Sequence, residues 1–132
     1  MKALHIICQR DKKTNKLRGI TPIDAKTNQY VSCCWDFDLE EMRGLIGGMI
    51  FFHAVKSEKS YWCGVVYDVC SIDLDSPNIG DYYTPVEDLK GKKSPRMMFK
   101  FEVAKNGSGV KWRGSKFGMA YQGGIVDIDE PN

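Results

Sequence analysis

Apolar and polar residues alternate with a period of two along several stretches of this chain, and that period predicts strands. In "ALHIICQ", residues 3–9, Leu4, Ile6 and Cys8 fall on one face. "YVSCCWDF", residues 30–37, alternates again. It groups Val31, Cys33, Trp35 and Phe37 and turns Cys34 away from Cys33. "MIFFHAV", residues 49–55, is apolar on both faces, the mark of a strand inside a sheet. After the turn "KSEKS", "YWCGVVYDVC" returns antiparallel over 61–70, with Gly64 expected at a bulge or a close approach. In "RMMFKFEVA", residues 96–104, Phe99, Phe101 and Val103 point inward while Lys100 and Glu102 point out. "KNGSG" has hairpin chemistry, and "VKWRG" and "GMAYQGGIVDI" supply the last strands.

Helical spacing is rarer. In "DLEEMRGLIGG", Asp38 can cap a helix with Glu41 three residues on, and Leu39, Met42 and Leu45 share a side. Gly44, Gly47 and Gly48 then stop it. Residues 10–28 are polar, contain Gly19 and Pro22, and read as a long loop. Residues 71–95 read as a loop-rich excursion with one helical turn at "PVEDL". The pattern therefore predicts an α+β, strand-rich, mostly antiparallel single domain over 1–132. An open or closed β-barrel with one or two short helices at its rim fits best.

Composition adds bounds. A chain of 132 residues buries enough surface to fold without disulfides or a structural metal. No apolar run approaches the roughly 20 residues that span a bilayer. The apolar start is also shorter than a signal-peptide core, so a cytoplasmic protein with no membrane partner is expected. The cysteines are Cys8, Cys33, Cys34, Cys63 and Cys70, an odd set without C-x-x-C spacing. They read as reduced, buried thiols, and no metal or other cofactor is expected.

Charge is segregated. From Lys90 to Lys116 there are nine cations and one acid, a surplus of eight; from Asp68 to Asp88 there are six acids and no Lys or Arg. The basic segment forms a face for a polyanion, or the two segments lie side by side and cancel.

Candidate chemistry is sparse. His53 and Cys63 fall on consecutive strands, but His53 shares a face with Met49, Phe51 and Val55, the setting of a core or pocket histidine. "DLDSPNIGDYYT" starts like a calcium loop at Asp73 and Asp75. It then places Asn78 and Thr84 where such a loop needs Gly and Glu. No catalytic set emerges. In "GVKWRGSKFGMAYQGG", residues 109–124, Lys111, Arg113 and Lys116 alternate with Trp112, Phe117 and Tyr121. Cations can hold phosphates and rings can stack bases; equally, the rings can belong to the core with lysines outside the same strands.

The pieces "GGMIFFHAV", "GVVYDV", "DYYTP" and "SPRMMFKFEV" together resemble the EVE branch of the PUA-like superfamily. The match covers somewhat under half the chain. Gly48, Ala54 and Met97 depart from the family's Asp, Ser and Trp, and its N-terminal "W-x-x-K-S-E-P" signature is replaced by "LHIICQR". The resemblance implies a PUA-like pseudo-barrel that binds nucleic acid, DNA or RNA, and reads a modified or flipped base. It carries over His53 as a pocket residue. Trp35, Trp62, Trp112 and Tyr121 are the candidate aromatic clamp, and Lys111, Arg113 and Lys116 the candidate phosphate contacts. The alternative function is a small accessory or immunity-type protein that uses the barrel only as a scaffold for a protein partner.

Overall fold

The computed structural model describes residues 2–10, 12–13, 17, 19–24, 26–55, 57–83, 86–104 and, as backbone, 122–127. The strands are β1 (Lys2–Ile7), β2 (Ile20–Asp24), β3 (Gln29–Trp35), β4 (Met49–His53), β5 (Trp62–Ile72), β6 (Arg96–Val103) and β7 (Gln122–Asp127). One short helix, α1 (Leu39–Arg43), and two 3-10 turns, Ile79–Asp81 and Val86–Leu89, complete them. The strands form one sheet in the order β2-β3-β6-β5-β4-β1-β7. All neighbours are antiparallel except β1 and β4, which run parallel. Among the described residues no pairing joins β2 to β7, so the sheet is open.

The helix follows its sequence. Asp38 Oδ2 accepts from the Glu41 amide at 3.1 Å, filling one of the orphan donors of the first turn. Arg43 pairs with Glu40 at 2.7 Å, and Met42 is the residue it buries. The chain then leaves through Gly47, whose φ of +88° suits glycine.

The sheet is strongly curled. β3 and β1 stand four strands apart in the sheet order, about 19 Å if it were flat. Yet Cys33, Cys34 and Trp35 line the same cleft as Ile7 and Cys8. Inside the curl, Leu4, Ile6, Ile50, Phe52, Val66, Phe99 and Phe101 form one core with Met42 and Leu45 of the helix segment. Each is essentially inaccessible to solvent. Each buried side chain of this size contributes roughly 1.5–3 kcal/mol. On the outer face, Ala3, Phe51 and Cys63 make a second cluster. Ile79, Tyr82 and Leu89 of the 71–95 excursion pack on Val31, Cys33 and Met98 as a third. Burial on both faces of an interior strand explains why β4 reads as a continuous apolar run.

Three expectations need correction. First, 10–28 is not simply a loop. It contains β2, which sits at the sheet edge and whose last three residues are exposed, so its apolar pattern is weak and Pro22 is tolerated. Second, the shared face of Val31, Cys33, Trp35 and Phe37 breaks. The register against β6 shifts between Cys33 and Trp35, so Trp35 and Phe37 pack on the main core while Val31 and Cys33 pack outside it. Third, Cys34 does not turn away from Cys33, because the two are joined as a vicinal disulfide and are not reduced thiols. Strict alternation assumes an unbroken strand, and a bulge inserts one extra residue.

Gly64 marks the close approach rather than a bulge; the bulge in β5 falls between Val66 and Asp68. A Cβ on Gly64 would run into the Phe101 ring and the Glu102 carbonyl. Both belong to the neighbouring strand, so little can give. We therefore expect Gly64→Ala to destabilise the protein by about 1–3 kcal/mol. Gly80→Ala, which meets only the Val86 methyl at 3.6 Å, should change stability by less than about 0.5 kcal/mol. Urea unfolding of the two variants checks this; equal midpoints would remove the steric account of the curl.

Candidate functional site

The cleft lies where the ends of β1 and β3 meet the 71–95 excursion. Its volume is about 390 Å³, within the usual range for small-ligand sites. β1 and the residues after it supply Ile7, Cys8 and Gln9; β3 supplies Cys33, Cys34 and Trp35. The excursion brings Tyr83, Asp88, Leu89 and Lys92, and β6 opens with Arg96. Two rings, two cations, one acid and a wall of sulfur thus face one space.

Local bonds hold this wall. The Trp35 indole donates to Ser32 Oγ at 2.9 Å, which fixes the ring and occupies its only polar atom. The Cys33 amide donates to the Gly19 carbonyl at 2.8 Å, tying β3 to the start of β2. At Gly19 φ is +71°, and a Cβ there would strike the Cys33 carbonyl and the Tyr83 ring. Arg96 Nε donates to the Lys93 carbonyl at 2.9 Å. Among the described residues no ion pair engages Lys92 or Arg96. The acidic and basic segments do cancel at one point, where Lys100 lies 3.8 Å from Asp68 across β5 and β6. Asp73 accepts from Ser94 Oγ and from the Asp75 amide, so it braces its own exposed loop.

Of the candidate residues, Trp35 lines the cleft. Trp62 is half-buried against the core, edge-on to Tyr30 and Phe101 at 5.0 and 5.5 Å, and does not reach the cleft. His53 is fully buried and also lies away from it. Trp112, Tyr121, Lys111, Arg113 and Lys116 lie outside the described residues. Tyr83, Lys92 and Arg96 were not in the candidate set. Their signal was present, Tyr83 in "DYYTP" and the cations in the basic run, but nothing local says that they converge.

His53 belongs to a buried pair on the outer face. Its Nε2 lies 2.8 Å from His5 Nδ1, and its Nδ1 lies 3.0 Å from the Glu58 carbonyl. A carbonyl only accepts, so His53 Nδ1 carries the proton and its Nε2, in the neutral ring, accepts from His5. His5 in turn stacks on Phe51 at 4.8 Å. Burial holds the His53 pKa below its ordinary value, opposed by the Glu58 carbonyl. Cys63 pairs with Phe51 in register, and burial pushes its thiol up to about 11. That thiol stays protonated at neutral pH and makes a poor nucleophile.

Comparison with protein-family models, curated proteins and solved structures finds no match. Among the described residues no helix is long and apolar enough to cross a membrane. No group of three or more His, Cys, Asp or Glu there is placed to hold a metal ion.

His53 sets a pH dependence. With its folded pKa lowered, His53 resists a proton that the unfolded chain accepts near pH 6.5. Stability should be level above about pH 6.5 and fall as pH drops below it. His53→Gln should flatten that slope in urea unfolding midpoints taken across pH 5–8. An unchanged slope would mean that other groups carry it.

Proposed function

We propose that this chain binds nucleic acid without catalysis and holds one unstacked base, modified or flipped, in the cleft against Trp35 and Tyr83. The observation that carries the reading is convergence: two aromatic rings and two cations, which pair with no acid among the described residues, face one space of about 390 Å³. That volume admits a nucleotide and not a duplex, so a base would have to leave its stack to enter. Stacking on a ring is worth about 1–3 kcal/mol per base. Lys92 and Arg96, with Lys90 and Lys93 exposed beside them, would take the flanking phosphates. The stretch holding Lys111, Arg113, Lys116, Trp112 and Tyr121 joins the proposal on its sequence alone.

The PUA-like, EVE-branch reading belongs to the same proposal. Its three motif strands are β4, β5 and β6, neighbours in the sheet, and the curl supports a pseudo-barrel. His53, buried against His5, would then support the barrel rather than touch a ligand.

One observation favours a protein partner instead. Val65 and Tyr67 stand two apart on β5, each 40% exposed, an apolar strip on the outer face. A stable complex or dimer lost on Tyr67→Lys, with nucleic-acid binding absent, would select that reading.

The test is binding to labelled single- and double-stranded DNA and RNA across a salt series. Log affinity should fall linearly with log salt, and Lys92→Ala/Arg96→Ala should reduce the slope by roughly 1–2. Trp35→Ala should cost about 1–3 kcal/mol with the slope kept. Lys111→Ala/Arg113→Ala should also lower the slope. Unchanged binding in the first two variants would exclude the cleft, and no binding at low salt would sink the nucleic-acid reading.

A further inference from the structure

We propose that the Cys33–Cys34 pair is a thiol–disulfide exchange site that an anionic low-molecular-weight thiol reaches through the cleft. The inference stands on the cleft's chemistry and does not require that nucleic acid be its ligand. The pair occupies the bulge of β3 and forms part of the cleft wall. Its two sulfurs are not equivalent. Cys33 is 1% exposed and packs with Val31, Ile79 and Met98, whereas Cys34 is half-buried. Cys34 Sγ is therefore the sulfur an incoming thiol can reach, and Cys33 Sγ is the leaving group.

Lys92 and Arg96 line the same space, and no acid among the described residues pairs with them. Cations there raise the local concentration of an anionic reagent and favour thiolate over thiol. A neutral thiol gains only the second effect. The other three cysteines form no disulfide. Cys63 and Cys70 do not line the cleft, and Cys8, which does, is a buried reduced thiol.

The step balances without a further reagent. A thiolate RS⁻ attacks Cys34 Sγ, the Cys33–Cys34 bond breaks, and its electron pair leaves on Cys33 Sγ. A second RS⁻ attacks the ligand sulfur of the Cys34 mixed disulfide, releasing RSSR and the Cys34 thiolate. The two protons of the spent thiols finish on Cys33 and Cys34. The protein disulfide is reduced and the ligand thiol oxidised, and RSSR drives the reverse. Opening the pair alters the wall immediately before Trp35, so the cleft differs between the two states.

Glutathione is the probe, with uncharged 2-mercaptoethanol for comparison. Chain purified without reductant is exposed to each thiol in its native state, quenched with acid, unfolded, alkylated and mapped by peptide mass. Before exposure, label should fall on Cys8, Cys63 and Cys70 only. Afterwards Cys33 and Cys34 should carry it too, with one glutathione disulfide formed per chain. Lys92→Ala/Arg96→Ala should slow opening by glutathione by about tenfold and opening by 2-mercaptoethanol by much less, since only the thiolate effect is lost there. Cys34→Ser should abolish glutathione disulfide formation, and Cys70→Ser should keep it. Label on all five cysteines at the outset would overturn the proposal. So would charge variants that affect both thiols equally, or exchange that survives Cys34→Ser. Loss of nucleic-acid binding with exchange intact would overturn only the function proposed above.

Discussion

Close contact between β5 and β6 at Gly64 and Phe101 is the constraint on which the rest of this structure depends. Where a side chain would stand, the Phe101 ring lies against the Gly64 backbone. That lets Phe101 reach across to Phe52 at 5.2 Å and Trp62 at 5.5 Å, so β4, β5 and β6 share one aromatic cluster. Phe99, next inward on β6, meets Phe37 at 6.1 Å, which draws in the segment after β3. A sheet whose inner face carries rings this large, with glycine opposite one of them, can close around them only by curling. The helix segment seals the curl with Met42 and Leu45.

The cleft is a consequence of that curl. β1 and β3 are remote in the sheet, and neither carries a recognisable binding motif. Their ends meet because the strands between them bend. The bulge at Cys33 and Cys34 then decides what each side chain faces: Trp35 packs on the core and still lines the cleft beside the two cysteines. The 71–95 excursion completes the space because Ile79, Tyr82 and Leu89 anchor it to the outer face of β3 and β6. Tyr83, Lys92 and Arg96 are placed by that anchoring.

The outer face settles the chemistry of the histidines differently. Burying imidazole is costly unless its nitrogens are satisfied. Here His53 is held between His5 and the Glu58 carbonyl. The turn after β4 is fixed in the same way: Tyr61 donates to the Cys8 carbonyl at 2.7 Å and Gln9 to the Ala54 carbonyl at 3.1 Å. These bonds tie the exits of β1 and β4 together, and they place His53 and Cys63 in structure rather than in a cleft.

Much of the fold was legible in residue order alone. The two-residue period located β1, β3 and β6, because a strand buried on at least one face must repeat its apolar side chains at that spacing, while the run apolar on both faces and the turn after it located β4 and β5. Asp38 and Glu41 marked the helix start because capping is local. β2 escaped because an exposed edge strand has little to bury, and its Pro22 argued for a loop. Trp35 was legible as one of the candidate clamp rings. Its true neighbours were not, since a bulge reverses every side chain beyond it and leaves no trace in composition. That Tyr83, Lys92 and Arg96 share a cleft with Cys8 and Cys34 was decided by the tertiary structure. Residues so far apart in the chain meet only through the curl of the intervening strands, and that curl depends on long-range packing that no local pattern encodes.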